Sequence, residues 1–257
     1  MAFKRIIATL LIKNGQLVKS YGYTAWRPAG GLASALRNLD RWLVDEILIL
    51  DISRRGGVNP EVLKTISMSS VSTPLVYGGG IRAKDDVVNL LEAGCDRIVL
   101  ETLFLRQPDS VRELADMVGA QALIGCVPLV PGPDHPHLWS STSNSDVMSD
   151  FITLINHCNS QPVSEIMVID TRNEGFFGQA CRSLHAKVIE SGLNKGIIWF
   201  GGLDHEIAGI LLKNPETVAV AFGNINFERE LQIPRLRADI LSQVHGELRR
   251  TRVGREQ

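Results

Sequence analysis

Short apolar runs alternate with amphipathic stretches along the whole of this 257-residue chain. Runs such as "EILILDIS" and "KGIIWFGG" are apolar at successive positions rather than at every second position. Continuous runs of this kind are typical of parallel strands that are covered on both faces. The pattern predicts eight strands, over residues 5–12, 46–52, 74–78, 97–101, 122–127, 165–170, 196–200 and 217–222.

The stretches between the runs have the periodicity of helices. The clearest is 109–119, where Val111, Leu114 and Met117 form one apolar stripe and a glycine follows as a stop signal. Residues 83–94 and 233–251 predict two further helices, and 250–257 a flexible tail. Eight strand–helix units in a chain of about 250 residues favour a single (β/α)8 barrel, or TIM barrel, over residues 1–257. A doubly wound open sheet is the structural alternative.

Three segments of the first half of the chain resemble three segments of the second half. The matching segments follow in the same order, and the two members of a pair are separated by 117 residues (5 to 122) to 123 residues (76 to 199). A constant order at nearly one offset predicts a barrel built from two repeated half-barrels, approximately 1–120 and 121–245. The alternative is that short parallel strands resemble one another by chance. The matching pairs are "DEILILDISRRGG" with "SEIMVIDTRNEGF", "VYGGGI" with "WFGGLD", and "RIIATLL" with "ALIGCVP".

Composition and charge narrow the classes of partner. The net charge of -1 and the pI of about 6.6 give no global attraction for nucleic acid or an anionic membrane. No apolar run approaches the roughly 20 residues that span a bilayer, and the first residues lack a signal-peptide cleavage site, so we expect a cytoplasmic protein. The cysteines are scattered without a C-x-x-C pair, which predicts reduced structural thiols at Cys95, Cys126, Cys158 and Cys181.

Glycine-bearing turns follow four strand candidates, at 78–82, 173–179, 200–204 and 222–226. Glycine lets backbone N–H groups approach a phosphate closely, and loops after late barrel strands are a frequent phosphate site. The turns therefore predict two phosphate subsites on opposite sides of the barrel mouth; the alternative is that they are only tight turns. The candidate residues are Gly79, Gly80, Gly175, Gly201, Gly202 and Gly223, with Lys19 and Arg82 as counter-charges or merely solvated cations.

Other polar residues offer weaker candidates for chemistry. Asp51 and Asp170 end equivalent strands of the two halves, where they could bind substrate hydroxyls, act as residual bases or cap the following turns. The segment "DHPH" (134–137) has the residue types of a metal site, but we favour a polar lid and expect neither a metal nor a cofactor.

Seven segments together resemble one known family, the cyclase subunit of imidazole glycerol phosphate synthase and its paralogues. Its members are half-barrel-duplicated (β/α)8 proteins that receive ammonia from a glutaminase subunit docked at the N-terminal face of the barrel. In the histidine pathway the ammonia is used on a bisphosphorylated ribulosyl nucleotide at the opposite face, and the resemblance places Glu101 and Thr102 among polar substrate contacts. The segments are "KRII", "GQLVK", "DEILILDIS", "YGGGI", "AGCDRIVL", "SEIMVID" and "FGGLD".

The chain departs from this family at the two catalytic positions. The family's acid and base are aspartates at the ends of strands 1 and 5, and their positions here hold Leu11 and Pro128. Neither side chain can transfer a proton, and general acid–base catalysis is worth about 10²–10⁴-fold. We therefore expect the cyclase reaction to be absent or very slow. Four prolines in the segment 127–141 also predict a stiff loop without ladder hydrogen bonds.

The family's ammonia gate, by contrast, is retained at the start of the strands. The resemblance assigns it to Arg5, Glu46, Arg97 and Glu165, with arginine where the family usually has lysine. Two cations with two anions compensate each other when buried. The alternative is a structural salt-bridge network that only plugs the barrel.

Leu11 in "TLLIKNG" further resembles a sub-branch found with bacterial surface-polysaccharide genes, whose members keep the second aspartate that is Pro128 here. In that sub-branch the barrel and its glutaminase supply ammonia to a third subunit, a sugar amidotransferase that converts an N-acetyl to an acetamidino group. We therefore expect a barrel that docks a glutaminase, conducts ammonia and binds a phosphorylated small molecule. The alternatives are a histidine-pathway cyclase, which is a lyase, and a regulatory pseudoenzyme that binds a phosphate ligand.

Overall fold

The continuous apolar runs form strands, as predicted, in a computed structural model that describes residues 3–53, 56–140, 145–147, 150–228 and 232–244. Eight of the strands, β1, β4, β5, β6, β7, β10, β11 and β12, pair in parallel, and β7 pairs with β10 to close the sheet. The single (β/α)8 barrel is thereby confirmed and the open sheet is wrong. In the described residues the strands are β1 (Arg5–Lys13), β2 (Gln16–Tyr21), β3 (Ala25–Gly30), β4 (Glu46–Asp51), β5 (Leu75–Gly78), β6 (Arg97–Leu100), β7 (Leu123–Val130), β8 (His137–Ser140), β9 (Ser145–Val147), β10 (Glu165–Asp170), β11 (Gly196–Phe200) and β12 (Thr217–Phe222).

Helices connect the barrel strands and cover the outside of the sheet. The predicted helices 83–94 and 109–119 correspond to α3 and α5, and the predicted helix 233–251 corresponds to α9. The predicted tail and the last residues of the predicted helix 233–251 lie outside the described residues. The helices are α1 (Leu32–Arg41), α2 (Pro60–Ser67), α3 (Lys84–Glu92), α4 (Thr102–Arg106), α5 (Pro108–Val118), α6 (Phe151–Ser160), α7 (Arg182–Ile189), α8 (His205–Leu212) and α9 (Gln232–Val244).

Side chains along each barrel strand alternate between the helices and the barrel axis. In β1, Ile6 and Leu10 belong to the large core between sheet and helices, whereas Ile7 and Leu11 belong to a second apolar cluster on the axis. Two apolar layers explain why the strands are apolar at successive positions. No helix among the described residues is long and apolar enough to cross a membrane.

Two β-hairpins at the C-terminal face were not predicted. One consists of β2 and β3 after β1, and the other of β8 and β9 after β7. The expectation that the proline-rich segment makes no ladder hydrogen bonds is wrong, because Leu129 pairs with Leu138 and Val130 with His137. Three of the prolines lie in the turn at 131–136, between the paired residues, where no ladder hydrogen bond is needed.

Candidate functional site

The four predicted gate residues lie together at the N-terminal end of the barrel and form a closed ring of ion pairs. Arg5 contacts Glu46 (Nη1 to Oε1, 2.8 Å) and Glu165 (Nη2 to Oε1, 2.7 Å). Arg97 contacts Glu165 (Nη2 to Oε2, 2.8 Å) and, more loosely, Glu46 (Nη1 to Oε1, 3.6 Å). We call these four residues the charge ring. Each is the first residue of its strand, so the ring forms one layer across the axis.

Burial and charge oppose each other within the charge ring. Burial alone would lower the pKa of Arg5, but the charges of Glu46 and Glu165 outweigh it and the pKa is raised. Burial raises the pKa of Glu46 although Arg5 and Arg97 oppose the shift. Two buried atoms, Glu46 Oε2 and Arg97 Nη1, have no hydrogen-bond partner among the described residues. The ring is therefore closed, but at the Glu46–Arg97 contact one carboxylate oxygen and one guanidinium nitrogen have no hydrogen bond within the described residues.

Beyond the charge ring the barrel axis is lined by apolar side chains. Along β1 the inward positions are Arg5, Ile7, Thr9 and Leu11, in that order from the N-terminal face. Thr9 is fully buried, and its hydroxyl has no hydrogen-bond partner among the described residues. The other strands contribute Leu48, Val76, Val99, Ile124, Met167, Ile198 and Ala219 to the same apolar cluster.

Leu11 and Pro128 lie at the top of this axis, where the family has its acid and base. Leu11 is buried, and a Cβ added to Gly223 would lie 3.9 Å from its Cδ1, so it fills the side of the mouth next to β12. Pro128 is opposite Ile169 in the sheet and lines a cavity. Neither position therefore presents a group that can transfer a proton.

A cavity of about 560 Å³ opens at the C-terminal ends of β4, β5, β6, β7 and β10. Its lining includes five of the residues predicted to bind a phosphate or a substrate: Gly79, Gly80, Arg82, Glu101 and Thr102. Asp51 also lines it, and accepts a hydrogen bond from the amide of Ser53 (2.8 Å) in the following turn.

The remaining predicted residues lie elsewhere at the mouth. Gly175, Gly201, Gly202 and Gly223 line a separate recess of only about 20 Å³, and Lys19 lines neither cavity. Asp170 is buried and accepts hydrogen bonds from the amide of Cys181 (2.7 Å) and from Asn173 Nδ2 (2.9 Å). Burial raises the pKa of Asp170 in spite of these bonds. Its contacts are those of a residue that holds a turn.

The glycine turns repeat the same geometry in both halves. Gly79 and Gly201 have φ angles of 94° and 108°, and a Cβ there would lie 2.0 Å and 2.4 Å from the carbonyl oxygens of Asp51 and Asp170. Any larger residue would collide with the end of the neighbouring strand. The first glycine of each pair is thus required by packing, whether or not a phosphate binds.

Sequence reasoning missed two aromatic residues that form a wall of the large cavity. Tyr23, in the turn between β2 and β3, stacks on Trp139 of β8 with ring centroids 5.7 Å apart. Burial, followed by the charges of Glu174, Cys126 and Glu101, raises the pKa of Tyr23. The Tyr23 hydroxyl is buried and has no hydrogen-bond partner among the described residues. No signal in the sequence alone joins residues 116 positions apart (139 − 23).

Glu174, also missed, joins the first hairpin to the loop after β10. Its Oε2 accepts hydrogen bonds from Ser20 Oγ (2.8 Å) and the amide of Tyr23 (3.3 Å), while Oε1 is buried without a partner among the described residues. Burial raises the pKa of Glu174 to about 7, against these hydrogen bonds. In the sequence, Glu174 belongs to the segment "NEGF", and the resemblance between the two halves of the chain marks this segment as one that follows a strand.

The histidines and cysteines of the described residues form no reactive cluster. His135 of "DHPH" stacks on Phe151, and no group of three or more potential metal ligands occurs in the described parts of the chain. Burial lowers the pKa of His185 to about 4. All four cysteines are free thiols.

Comparison with known proteins matches the chain both to a family model and to individual relatives. The model of a family described as "Histidine biosynthesis protein" matches residues 5–232. A protein of Helicobacter hepaticus (strain ATCC 51449 / 3B1) named "Imidazole glycerol phosphate synthase subunit HisF" is 29% identical over 200 residues, which cover 74% of this chain and 79% of that protein.

Proposed function

The chain belongs to the histidine biosynthesis protein family and is a cyclase-subunit-like barrel, and from this premise we propose that it conducts ammonia without cyclising a substrate. A glutaminase docks at its N-terminal face, and the ammonia passes along the axis to an acceptor reaction. The observation that carries the proposal is the closed charge ring of Arg5, Glu46, Arg97 and Glu165 at one end of an axis whose other end has Leu11 and Pro128. An inert barrel needs no ring of buried charges, since apolar side chains would fill the same layer at no cost in desolvation.

The longest ion pair of the charge ring, between Glu46 and Arg97, supports passage of a small polar molecule. Glu46 Oε2 lacks a donor and Arg97 Nη1 lacks an acceptor among the described residues, although both atoms are buried. Such unsatisfied groups are rare and costly in native proteins, at about 1–3 kcal/mol each. Ammonia can donate to the carboxylate oxygen and accept from the guanidinium. We infer that the ring opens at the Glu46–Arg97 joint, where the two side chains are 3.6 Å apart.

The lining of the axis suits neutral ammonia and disfavours ammonium. Apart from Thr9, the inward residues of β1 beyond the charge ring, Ile7 and Leu11, carry no polar side chain, and an unpaired cation in an apolar environment is strongly disfavoured. The Thr9 hydroxyl is the one polar side-chain group among the inward residues of β1 between Arg5 and Leu11. It offers ammonia a hydrogen-bond partner between the ring and the mouth.

Exposed apolar side chains support docking at the end where the charge ring lies. Phe3 is 60%, Leu43 45%, Met68 73% and Met117 45% exposed. Each belongs to the segment that precedes a barrel strand, so all four lie toward the N-terminal face. They all come from the first half-barrel. A group of exposed apolar residues on one face is typical of a protein interface.

The docking proposal is tested with the glutaminase of the same organism. Met68→Lys and Met117→Lys should weaken binding at least tenfold, because each places a charge in an apolar interface. The matched control is Ile152→Lys, since Ile152 is 66% exposed in the first turn of α6, toward the opposite face of the barrel. Binding is measured by titration calorimetry. Equal affinity of the control and both test variants would refute docking at this face.

For the acceptor reaction we propose acetamidino-sugar formation in surface-polysaccharide biosynthesis, with a sugar amidotransferase as third subunit. Support comes from the resemblance around Leu11 and from the mouth, where a cavity of about 560 Å³ offers a site for a phosphorylated small molecule. The same cavity favours a second candidate, a regulatory pseudoenzyme whose ligand controls the docked glutaminase. The two differ in one respect, because only the first requires glutamine nitrogen to reach a product.

A further inference from the structure

The two repeat-related turns at the barrel mouth have the same backbone and different surroundings. Gly80 accepts a hydrogen bond from the amide of Gly57, and Gly202 accepts one from the amide of Ala180, at 3.0 Å in both cases. The turn after β5 nevertheless borders the cavity of about 560 Å³, whereas the turn after β11 borders a recess of about 20 Å³. The duplicated backbone thus leads to two different local environments.

The first turn faces cationic side chains. Arg82 and Arg106 both line the large cavity, together with the hydroxyl-bearing Thr102. The amides of Arg82 and Ala83 already donate to Asp86 Oδ2, at 2.8 Å and 3.1 Å. Recognition of an anion here therefore depends on the two guanidinium groups, which are suited to bidentate contacts with a phosphate.

The second turn is filled by apolar side chains, and no cationic side chain of the described residues lines its recess. Its recess is lined by Phe176, Phe177 and Phe200 and by no basic or hydroxyl side chain. Leu11 and Phe200 both approach Gly223, at 3.9 Å and 3.4 Å from the position of an added Cβ. Asn224 Nδ2 donates hydrogen bonds to the carbonyl oxygens of Ser20 and Gly175. Nothing in this recess offers a phosphate either charge or room.

Between the two turns the large cavity has a wall suited to a sugar ring. Tyr23 and Trp139 present aromatic surface, and aromatic side chains stack against apolar ring faces. The Tyr23 hydroxyl is buried and not accessible from the cavity, so Tyr23 offers a ligand its aromatic ring. Asp51 and Glu101, on the lining, carry carboxylate oxygens that accept hydrogen bonds from ligand hydroxyls.

We propose that this cavity binds a sugar carrying a single phosphate group, and not a ligand with two. The phosphate lies at Arg82 and Arg106, and the sugar ring lies against the aromatic side chains of Tyr23 and Trp139. The volume is within the usual range for small-molecule sites, about 300–1,000 Å³. This inference rests on the phosphorylated ligand of the proposed function and adds its class and orientation.

The test compares three probes by titration calorimetry: inorganic phosphate, ribose 5-phosphate and ribulose 1,5-bisphosphate. We expect ribose 5-phosphate to bind at least tenfold more tightly than inorganic phosphate, and the bisphosphate no more tightly than ribose 5-phosphate. Arg106→Gln should weaken all three. Tyr23→Leu should remove most of the gain for ribose 5-phosphate and leave inorganic phosphate unchanged. Tyr21→Leu is the matched control, since Tyr21 packs against Phe176 outside the cavity and should change nothing.

The outcomes separate the two levels of the proposal. If no probe binds, the phosphate site of the proposed function is refuted together with this inference. If inorganic phosphate binds but ribose 5-phosphate gains nothing, or if the bisphosphate binds at least tenfold more tightly, only the single-phosphate sugar is refuted. A Tyr23→Leu protein with full affinity for ribose 5-phosphate would refute the assigned orientation.

Discussion

Replacement of Glu46 by glutamine tests the charge ring as a set of buried, mutually dependent charges. Its Oε1 lies 2.8 Å from Arg5 Nη1 and 3.6 Å from Arg97 Nη1. With an effective dielectric constant of about 20, these separations correspond to gross attractions of about 6 and about 5 kcal/mol. Desolvation of the Glu46 carboxylate and repulsion from the neighbouring Glu165 oppose this attraction. Desolvation is the largest of these effects, and the pKa of Glu46 is raised.

The substitution keeps a hydrogen-bond acceptor and removes the negative charge, so that the ring is left with one uncompensated cation. Breaking a buried pair on one side costs about 3–5 kcal/mol, and we expect a loss near 3 kcal/mol in the free energy of unfolding. The assay is urea unfolding of wild type and Glu46→Gln. The control is Glu113→Gln, because the Lys84–Glu113 pair is equally close (2.6 Å) but more than half exposed. We expect a change below about 1 kcal/mol there. A loss of less than about 1 kcal/mol for Glu46→Gln would refute the reasoning.

Two further predictions concern Glu174 and the lost catalytic groups. The pKa of Glu174 is raised to about 7 from 4.5, so its stabilising contribution is fully present below about pH 4.5 and is lost as the pH rises through 7. The shift corresponds to a difference of about 3 kcal/mol in the free energy of unfolding between low and high pH. The urea midpoint of the wild type should therefore fall between pH 5 and pH 8, and Glu174→Gln should flatten this fall. An equally steep fall in the variant would contradict the assignment to Glu174. Given the histidine-pathway nucleotide and excess ammonium salt, the purified protein should form no imidazole glycerol phosphate, because Leu11 and Pro128 cannot transfer protons; turnover within about tenfold of an ordinary cyclase would contradict that expectation.

The barrel was predictable because its signals are local and repeated. Apolar runs such as 46–52 and 165–170 mark strands by themselves, and eight such runs in alternation with helical segments predict a (β/α)8 barrel. The members of the charge ring were assigned from the family resemblance, and in the structure they share one layer because each begins a strand of one closed sheet.

The mouth was only partly predictable, since its contents depend on contacts between distant loops. Gly79 and Gly201 occupy equivalent turns with the same backbone, yet only Gly79 borders a large cavity. The difference arises from side chains such as Phe200 and Leu11, whose approach to Gly223 no local pattern encodes. Tyr23 was missed for the same reason, because its partner Trp139 lies in the other half of the chain.

Transfer of glutamine nitrogen through the barrel is the central claim, and it is measured as the ratio of aminated product to glutamate in the complex of barrel, glutaminase and acceptor enzyme. Arg5→Ala opens the charge ring at two of its joints, to Glu46 and Glu165. We expect the variant to hydrolyse glutamine and to use external ammonium salt as the wild type does, while its product-to-glutamate ratio falls severalfold. An unchanged ratio in a folded Arg5→Ala protein would contradict ammonia conduction and leave the charge ring as a structural plug.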